Sequence, residues 1–408
     1  MRKRIRKILF LTAAVIFSHG RILADDDTPR LAQDNSAFAF DLYHQLSGSE
    51  GNLFFSPYSI STALAMTESG ARGETKSQMA KALHFSLPQD KLDPAFAELR
   101  NNLNAAQGAD KVTLTIANSI WPSNRYKFLD SYVGILKSNY DVSLTPLDYT
   151  QTEAARVTIN KWVENKTHDK IMDLIGPGVL KPDTRLTLVN AIYFYGKWLS
   201  PFQPKDTDDW PFKVSPDKPE DVPMMSQTSE FPYAETGSLQ VLELPYRGAE
   251  LSMLIVLPKS TTGLAAIESG LSQTSLAEWT GKLETREVIV HLPKFKITWG
   301  TEDLTDSLKT LGMKDAFDKN SADFSGMDGN PHGLCIGAVL HKAFIDVKEE
   351  GTEAAAATAV VMMTGAVAPE TPTPMFLADH PFLFLIQDNR TGTILFMGRV
   401  LDPKASGQ

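Results

Sequence analysis

Residues 349–374 read Glu349-Glu-Gly-Thr-Glu-Ala-Ala-Ala-Ala-Thr358-Ala-Val-Val-Met-Met-Thr-Gly-Ala-Val-Ala-Pro-Glu-Thr-Pro-Thr-Pro374. The first half carries no charge after Glu353 and is built from small and β-branched residues up to Met362. The second half holds Pro369, Pro372 and Pro374, which excludes helix and central strand. In an extended chain Thr352, Ala354, Ala356, Thr358, Val360 and Met362 share one face, and none of them is large before Met362. A segment that slides between two neighbouring strands needs that profile, because a bulky or charged inward side chain would block its entry. A connection this long between two strands is uncommon and usually functional.

Strands flank it. Ala338–Val347 reads as a strand on one side; on the other, Phe382–Ile386 and Thr393–Val400 form a hairpin around Asp388-Asn-Arg-Thr-Gly392. Further out, Leu186–Tyr195 is apolar on both faces, and Leu239–Leu244 and Leu251–Leu257 flank the turn at Tyr246. Val288–Ile297 reads as one more strand, and Val112, Leu114 and Ile116 alternate with Thr113 and Thr115 in another. The first half of the chain is helical. Asp34 or Asn35 is placed to cap a helix bearing Ala39, Leu42, Tyr43 and Leu46. Thr62–Met66 belongs to a helix apolar or small almost all round, hence buried. Further helix faces are marked by Leu92, Phe96, Leu99 and Leu103, by Ala155, Ile159, Trp162 and Val163, and by Leu304, Leu308 and Leu311. Runs of helices followed by runs of strands, without βαβ alternation, make an α+β chain with large antiparallel sheets.

The 408 residues are 42% hydrophobic, with 40 basic and 49 acidic side chains, the composition of a folded protein. Residues 1–24 have a signal-peptide layout: a basic start from Arg2 to Lys7, a ten-residue stretch to Phe17 that is apolar apart from Thr12, and cleavage expected after Ala24. Ile22 departs from the usual small residue before such a site, so an uncleaved anchor is the alternative. The leader takes six of the 40 basic residues, leaving 34 against 49 in 25–408, a net charge of −15. That charge argues against nucleic acid as a partner. Lys91 and Arg100 are mixed with Asp90, Asp93 and Glu98, so that helix offers no face for a heparin-type polyanion.

Catalytic motifs are absent. No phosphate loop, dinucleotide fingerprint or His-Glu-x-x-His pair occurs. The histidines have no ligand spacing, so neither a metal nor a cofactor is expected. The single cysteine, Cys335, cannot form an intramolecular disulfide or hold a cluster. Gly333-Leu-Cys335-Ile-Gly337 imitates a nucleophile elbow, but an elbow joins strand to helix, and Ile336, Ala338 and Leu340 continue a strand. Cys335 therefore reads as a buried structural thiol. His341, inside that strand, reads from residues alone as a core histidine with one hydrogen-bond partner, and Trp162 and Trp198 as core. No enzyme is expected.

From about residue 30 to 403 the chain resembles a serpin. The matching stretches are Asn52-Leu-Phe-Phe-Ser-Pro-Tyr-Ser-Ile60, Asn190-Ala-Ile-Tyr-Phe-Tyr-Gly-Lys-Trp198, Leu244-Pro-Tyr-Arg-Gly-Ala-Glu-Leu-Ser-Met253, Leu292-Pro-Lys-Phe295, Ala322-Asp-Phe-Ser-Gly-Met327, His341-Lys-Ala343, Glu349 to Thr358, His380-Pro-Phe-Leu-Phe384 and Phe396-Met-Gly-Arg-Val400. Their order and spacing make the resemblance specific. It implies one metastable domain, 25–408, with three β-sheets, eight or nine helices and an exposed reactive-centre loop at about 352–375. A target protease attacks that loop as a substrate, and the cleaved loop enters the central sheet as a new strand before the acyl-enzyme hydrolyses.

By position, the resemblance makes Glu349, Glu350, Gly351, Thr352, Glu353, Ala354, Ala355, Ala356 and Ala357 the hinge. Ser56, Ser59, Asn190 and His341 become the polar shutter beneath the sheet, and Trp198 the breach at its top. The family register places the scissile bond at Gly365–Ala366; a shift of one or two residues would use Thr364 or Met363. Glycine fills no specificity pocket, and the loop has no basic residue, which points to elastase-like or subtilisin-like serine proteases. Cross-class inhibition of cysteine proteases is a variant of the same reading. The expected molecule is a secreted monomeric suicide inhibitor, extracellular or periplasmic; the alternative is a non-inhibitory serpin with a carrier or storage role.

Overall fold

The computed structural model describes residues 27–108, 110–352 and 372–405. The leader 1–24, the hinge positions Glu353, Ala354, Ala355, Ala356 and Ala357, and the scissile candidates Met363, Thr364, Gly365 and Ala366 lie outside them.

The chain opens with α1 (Thr28–Leu46), β1 (Leu53–Phe55), α2 (Pro57–Glu68), α3 (Gly73–Ala82), α4 (Gln89–Ala106), β2 (Val112–Pro122), α5 (Asp130–Ile135), a π-helical turn Leu136–Tyr140 and α6 (Thr152–Lys166). Then follow β3 (Leu186–Lys197), β4 (Thr207–Ser215), β5 (Lys218–Glu235), β6 (Leu239–Pro245), β7 (Leu251–Pro258), α7 (Leu264–Ser269), α8 (Gln273–Thr280), β8 (Glu284–Pro293) and β9 (Phe295–Asp303). The chain ends with α9 (Thr305–Thr310), α10 (Ser325–Asp328), β10 (Ala338–Lys348), β11 (Gly351–Thr352), β12 (Met375–Leu377), β13 (Phe382–Asp388) and β14 (Ile394–Val400).

Two local expectations change. The first helix begins at Thr28, with Pro29 in its first turn, where proline costs nothing because its missing N–H would have no partner. Asp34 and Asn35 are therefore interior and do not cap. Asp34 accepts a hydrogen bond from the Ser86 N–H at 2.8 Å, and Asn35 Nδ2 donates to the Ile394 carbonyl at 3.1 Å. The stretch Val288–Ile297 is not one strand. It breaks after Pro293, with β8 in one sheet and β9 in the other.

The larger sheet runs β1-β14-β13-β7-β6-β5-β8-β12, with β4 on β5; the smaller runs β2-β3-β11-β10-β9. The expected three sheets appear as two hydrogen-bonded ones because β5 is 18 residues long. Its first part pairs with β4 and its middle with β8, while Tyr233–Glu235 at its end pairs with β6, which fuses two sheets edge to edge. Ten α-helices occur among the described residues, one of them the four-residue α10.

The five-stranded sheet is buried on both faces, and strand alternation divides its residues. Leu188, Ile192 and Phe194 of β3, with Val339, Ala343, Ile345 and Val347 of β10, face the main core together with α2. Val189, Ala191, Tyr193, Leu340 and Phe344 face a smaller cluster with Ile159 and Val163 of α6. Over Ala338–Phe344, β10 pairs in parallel with Thr187–Tyr193 of β3. The two strands separate only at the top of the sheet.

Candidate functional site

At that upper end, Gly351 and Thr352 form β11, wedged between the separating strands. Thr352 is opposite Val347 of β10 and Gly196 of β3, antiparallel to both. Gly351 lies so close to β3 that a Cβ there would collide with the Gly196 carbonyl. Gly196 is equally confined, since a Cβ would meet the Tyr246 ring at 2.7 Å. The smallest side chains therefore stand where the inserted backbone passes.

Thr352 is wholly buried. Its hydroxyl bonds the Tyr246 hydroxyl at 2.9 Å. Tyr246 stacks on Trp198 with ring centroids 4.7 Å apart and planes 13° apart. Burial raises the Tyr246 phenol well above its ordinary value, and the Thr352 bond only partly offsets this. Tyr246 thus stays neutral and can either donate or accept.

Trp198 holds the main chain leading into β11. Its Nε1 donates to the Lys348 carbonyl at 3.0 Å and its backbone N–H to the Glu350 carbonyl at 2.9 Å; the Phe202 N–H donates to the Glu349 carbonyl at 2.8 Å. The Glu349 carboxylate receives Lys294 Nζ at 2.9 Å and the Thr207 hydroxyl at 3.0 Å. Burial alone would raise the Glu349 pKa, but hydrogen bonds from Lys294, its own backbone and Thr207, with the Lys294 charge, bring it below the usual carboxylate range.

Lower in the same sheet a polar row crosses three strands. Asn118 of β2 is in register with Asn190 of β3, and Asn190 with His341 of β10. Asn190 Nδ2 donates to Asn118 Oδ1 and to Ser59 Oγ, each at 2.6 Å, and Asn190 Oδ1 accepts from His341 Nδ1. Ser59 Oγ donates to Asn118 Oδ1 at 2.9 Å. His341 Nε2 accepts the Ser56 N–H at 3.2 Å. Ser56 caps α2 by accepting the Ser59 N–H at 3.1 Å and donates its hydroxyl to the Leu395 carbonyl at 2.6 Å. With no exposure, His341 is pushed down to about 3 by burial, partly opposed by its bond to Asn190. It is therefore neutral, with the proton on Nδ1 and the Nε2 lone pair free to accept. A buried row of this kind is stable only while fully bonded, so separating β3 from β10 requires its rearrangement.

The structure thus brings Ser56, Ser59, Asn190 and His341 together, and places Trp198 beside Glu349, Glu350, Gly351 and Thr352. His341 has two partners where the residues alone suggested one. The sequence reading missed Asn118, Tyr246 and Lys294. Asn118 was the most accessible of these. Extending the Val112, Leu114, Ile116 alternation puts Asn118 on the core face, where an amide needs a partner. Cys335 is half-buried in a loop before β10, not fully buried. Burial pushes its thiol up, which disfavours a nucleophilic thiolate.

A serpin family profile, described as serine protease inhibitor, matches residues 33–403. The chain is a serpin. Leukocyte elastase inhibitor A of Mus musculus is 41% identical over 385 residues, covering 92% of this chain and 100% of that protein. The leukocyte elastase inhibitor of Xenopus laevis is 41% identical over 375 residues, covering 90% and 97%. Among solved structures, Serpin48 of the insect Tenebrio molitor matches with a TM-score of 0.81 and 34% identity, covering 93% of this chain and 99% of that one. Human thyroxine-binding globulin matches with 0.82 and 31%, covering 92% and 99%. The family is one of serine protease inhibitors.

Proposed function

We propose that this serpin is a suicide inhibitor of serine proteases, exported after removal of residues 1–24 and working as a monomer of one domain, 25–408. The observation that carries the reading is β11, because the first two residues of a new central strand already sit between β3 and β10 in the orientation insertion requires. The name leukocyte elastase inhibitor carried by relatives at about 41% identity supports inhibition over a carrier role.

Continuing the β11 register down the sheet describes the inserted state. Thr352 pairs with Val347 and Gly196, so the same antiparallel register brings Thr358 opposite His341 and Asn190. A hydroxyl would then arrive at the level of the row that insertion disrupts. Thr352, Ala354, Ala356, Thr358, Val360 and Met362 would face the main core beneath, and the alternate residues the α6 side. Insertion replaces one parallel pairing with two antiparallel ones, the slightly more stable type per residue.

Cleavage at Gly365–Ala366, or beside it at Thr364 or Met363, leaves a strand long enough to fill the gap. Small and medium apolar residues there favour elastase-like or subtilisin-like enzymes. The test mixes the protein with one protease of each kind and uses denaturing gels with intact-mass analysis. A covalent high-mass band and a released peptide beginning at or next to Ala366 are expected. Loop cleavage by several proteases without such a band would refute the reading.

A further inference from the structure

At the end of α2 opposite the shutter, four elements converge on two buried carboxyl groups. Glu68, the last residue of α2, is 1% exposed. Its Oε1 is 3.6 Å from Lys76 Nζ of α3, while its Oε2 is buried with no hydrogen-bond partner. Asp93 of α4 is 5% exposed. One Asp93 oxygen accepts from Gln89 Nε2 at 2.9 Å and from the Tyr140 hydroxyl of the π-helical turn at 2.6 Å. Lys76 Nζ also donates to Gln89 Oε1 at 2.6 Å, so one ammonium serves the whole group.

The other groups facing the pair are accounted for. Tyr140 and Tyr132 are buried phenols held neutral, burial being the main cause and the Asp93 charge adding to it. Tyr132 donates its hydroxyl to the Met66 carbonyl. Arg72, at the start of α3, spends its guanidinium on the Ser69 and Ala71 carbonyls. Two ionised carboxylates against one ammonium would leave a net negative charge on two buried carboxyl groups, which is disfavoured.

The site also decides which oxygen takes the proton. Glu68 is the last residue of α2, where the backbone dipole repels an anion, whereas Asp93 is the fifth residue of α4 and bears no such penalty. Asp93 further has two donors and Glu68 Oε2 none. A proton on Oε2 relieves the excess charge. In agreement, Glu68 is raised to about 7 by burial, with the Asp93 charge adding to the rise and Lys76 opposing it.

We propose that the Glu68–Asp93 pair is a proton-operated lock. In acidic to neutral medium Glu68 holds a proton, and the single charge of Asp93, balanced by Lys76, holds α3, α4 and the π-helical turn on the end of α2. Above neutrality the second charge appears and this end of the molecule slackens.

The test compares the full chain with Glu68→Gln, which keeps shape and removes the titration. The difference between the two proteins is the readout, because the buried His341 gives the parent an opposite slope in part of this range. By linkage, Glu68 costs the parent a factor of roughly 10 to 100 in its folding equilibrium between pH 5 and pH 8. Denaturant unfolding should therefore show the variant gaining on the parent by that factor over this interval. Hydrogen exchange corrected for intrinsic rates should show the parent opening preferentially in 73–106 and 130–140 at the higher pH. Parallel pH profiles for parent and variant would overturn the proposal. If Glu68→Gln does not fold, infrared titration of the parent with labelled glutamate decides: a protonated glutamic acid band persisting at pH 6 and vanishing by pH 8 supports the lock, and its absence at pH 6 refutes it.

Discussion

Replacing Thr352 by arginine puts the proposed mechanism at risk where it starts. The threonine side chain has no exposure, and its neighbours are Gly196, Val347 and the Tyr246 hydroxyl, none of them acidic. A guanidinium entering this slot would be an unpaired buried charge, worth about 3–5 kcal/mol of destabilisation, and would deprive Tyr246 of its partner at a further 1–3 kcal/mol or so. The variant avoids most of that by keeping the hinge out of the sheet, so the penalty falls on the insertion step. Taking about 3 kcal/mol of it in the barrier slows insertion about 150-fold. For an inhibitor that inserts about ten times faster than its acyl-enzyme deacylates, the moles consumed per mole of protease inhibited would rise from about 1 to about 15. The assay is a titration of residual protease activity, with gels to show that the loop is cut at the same bond at an undiminished rate. Thr352→Ser, which keeps the hydroxyl, is the control and should behave as the parent. An unchanged stoichiometry in Thr352→Arg would mean that Thr352 does not enter the sheet under load, and the insertion reading would fail.

Loop cleavage should stabilise the protein: about ten new strand residues at a net ~1 kcal/mol per hydrogen bond correspond to a rise in Tm on the order of 10 °C by calorimetry; cleaved and native forms melting together would contradict it. His341→Ala leaves the Ser56 N–H and Asn190 Oδ1 without partners and should lose about 2–5 kcal/mol in urea unfolding at neutral pH. The parent holds His341 neutral, with a pKa near 3, while the unfolded chain protonates it near 6.5. His341 stabilisation is therefore present above pH 6.5 and lost as pH falls towards 3, about 2 kcal/mol of it between pH 7.5 and 5; the gap between parent and His341→Ala should narrow by that amount. Gly351→Ala collides with the Gly196 carbonyl and should expel β11, seen as altered Trp198 fluorescence and faster nicking at Glu349 and Glu350 by a glutamate-specific protease.

Local pattern alone was enough to read which segments could be strands or helices, and it marked 352–362 as insertable. These properties are local: periodicity of apolar residues, the position of prolines, and the run of small side chains after Gly351. The resemblance added the shutter and breach positions, because it rests on motifs whose spacing is preserved. Where a property depended on a distant partner, it became legible only in the packed fold. Nothing local at Pro293 requires a change of sheet, since β4 and β5 carry Pro211, Pro223 and Pro232 in their interiors; the partners β5 and β10 place β8 and β9 in different sheets. Asn118 is an ordinary strand residue until β3 brings Asn190 alongside. Glu68 and Asp93 are 25 positions apart in the sequence and look like two surface charges on separate helices. They become neighbouring buried carboxyl groups only because α3 and α4 pack on α2, and that burial is what disfavours ionising both.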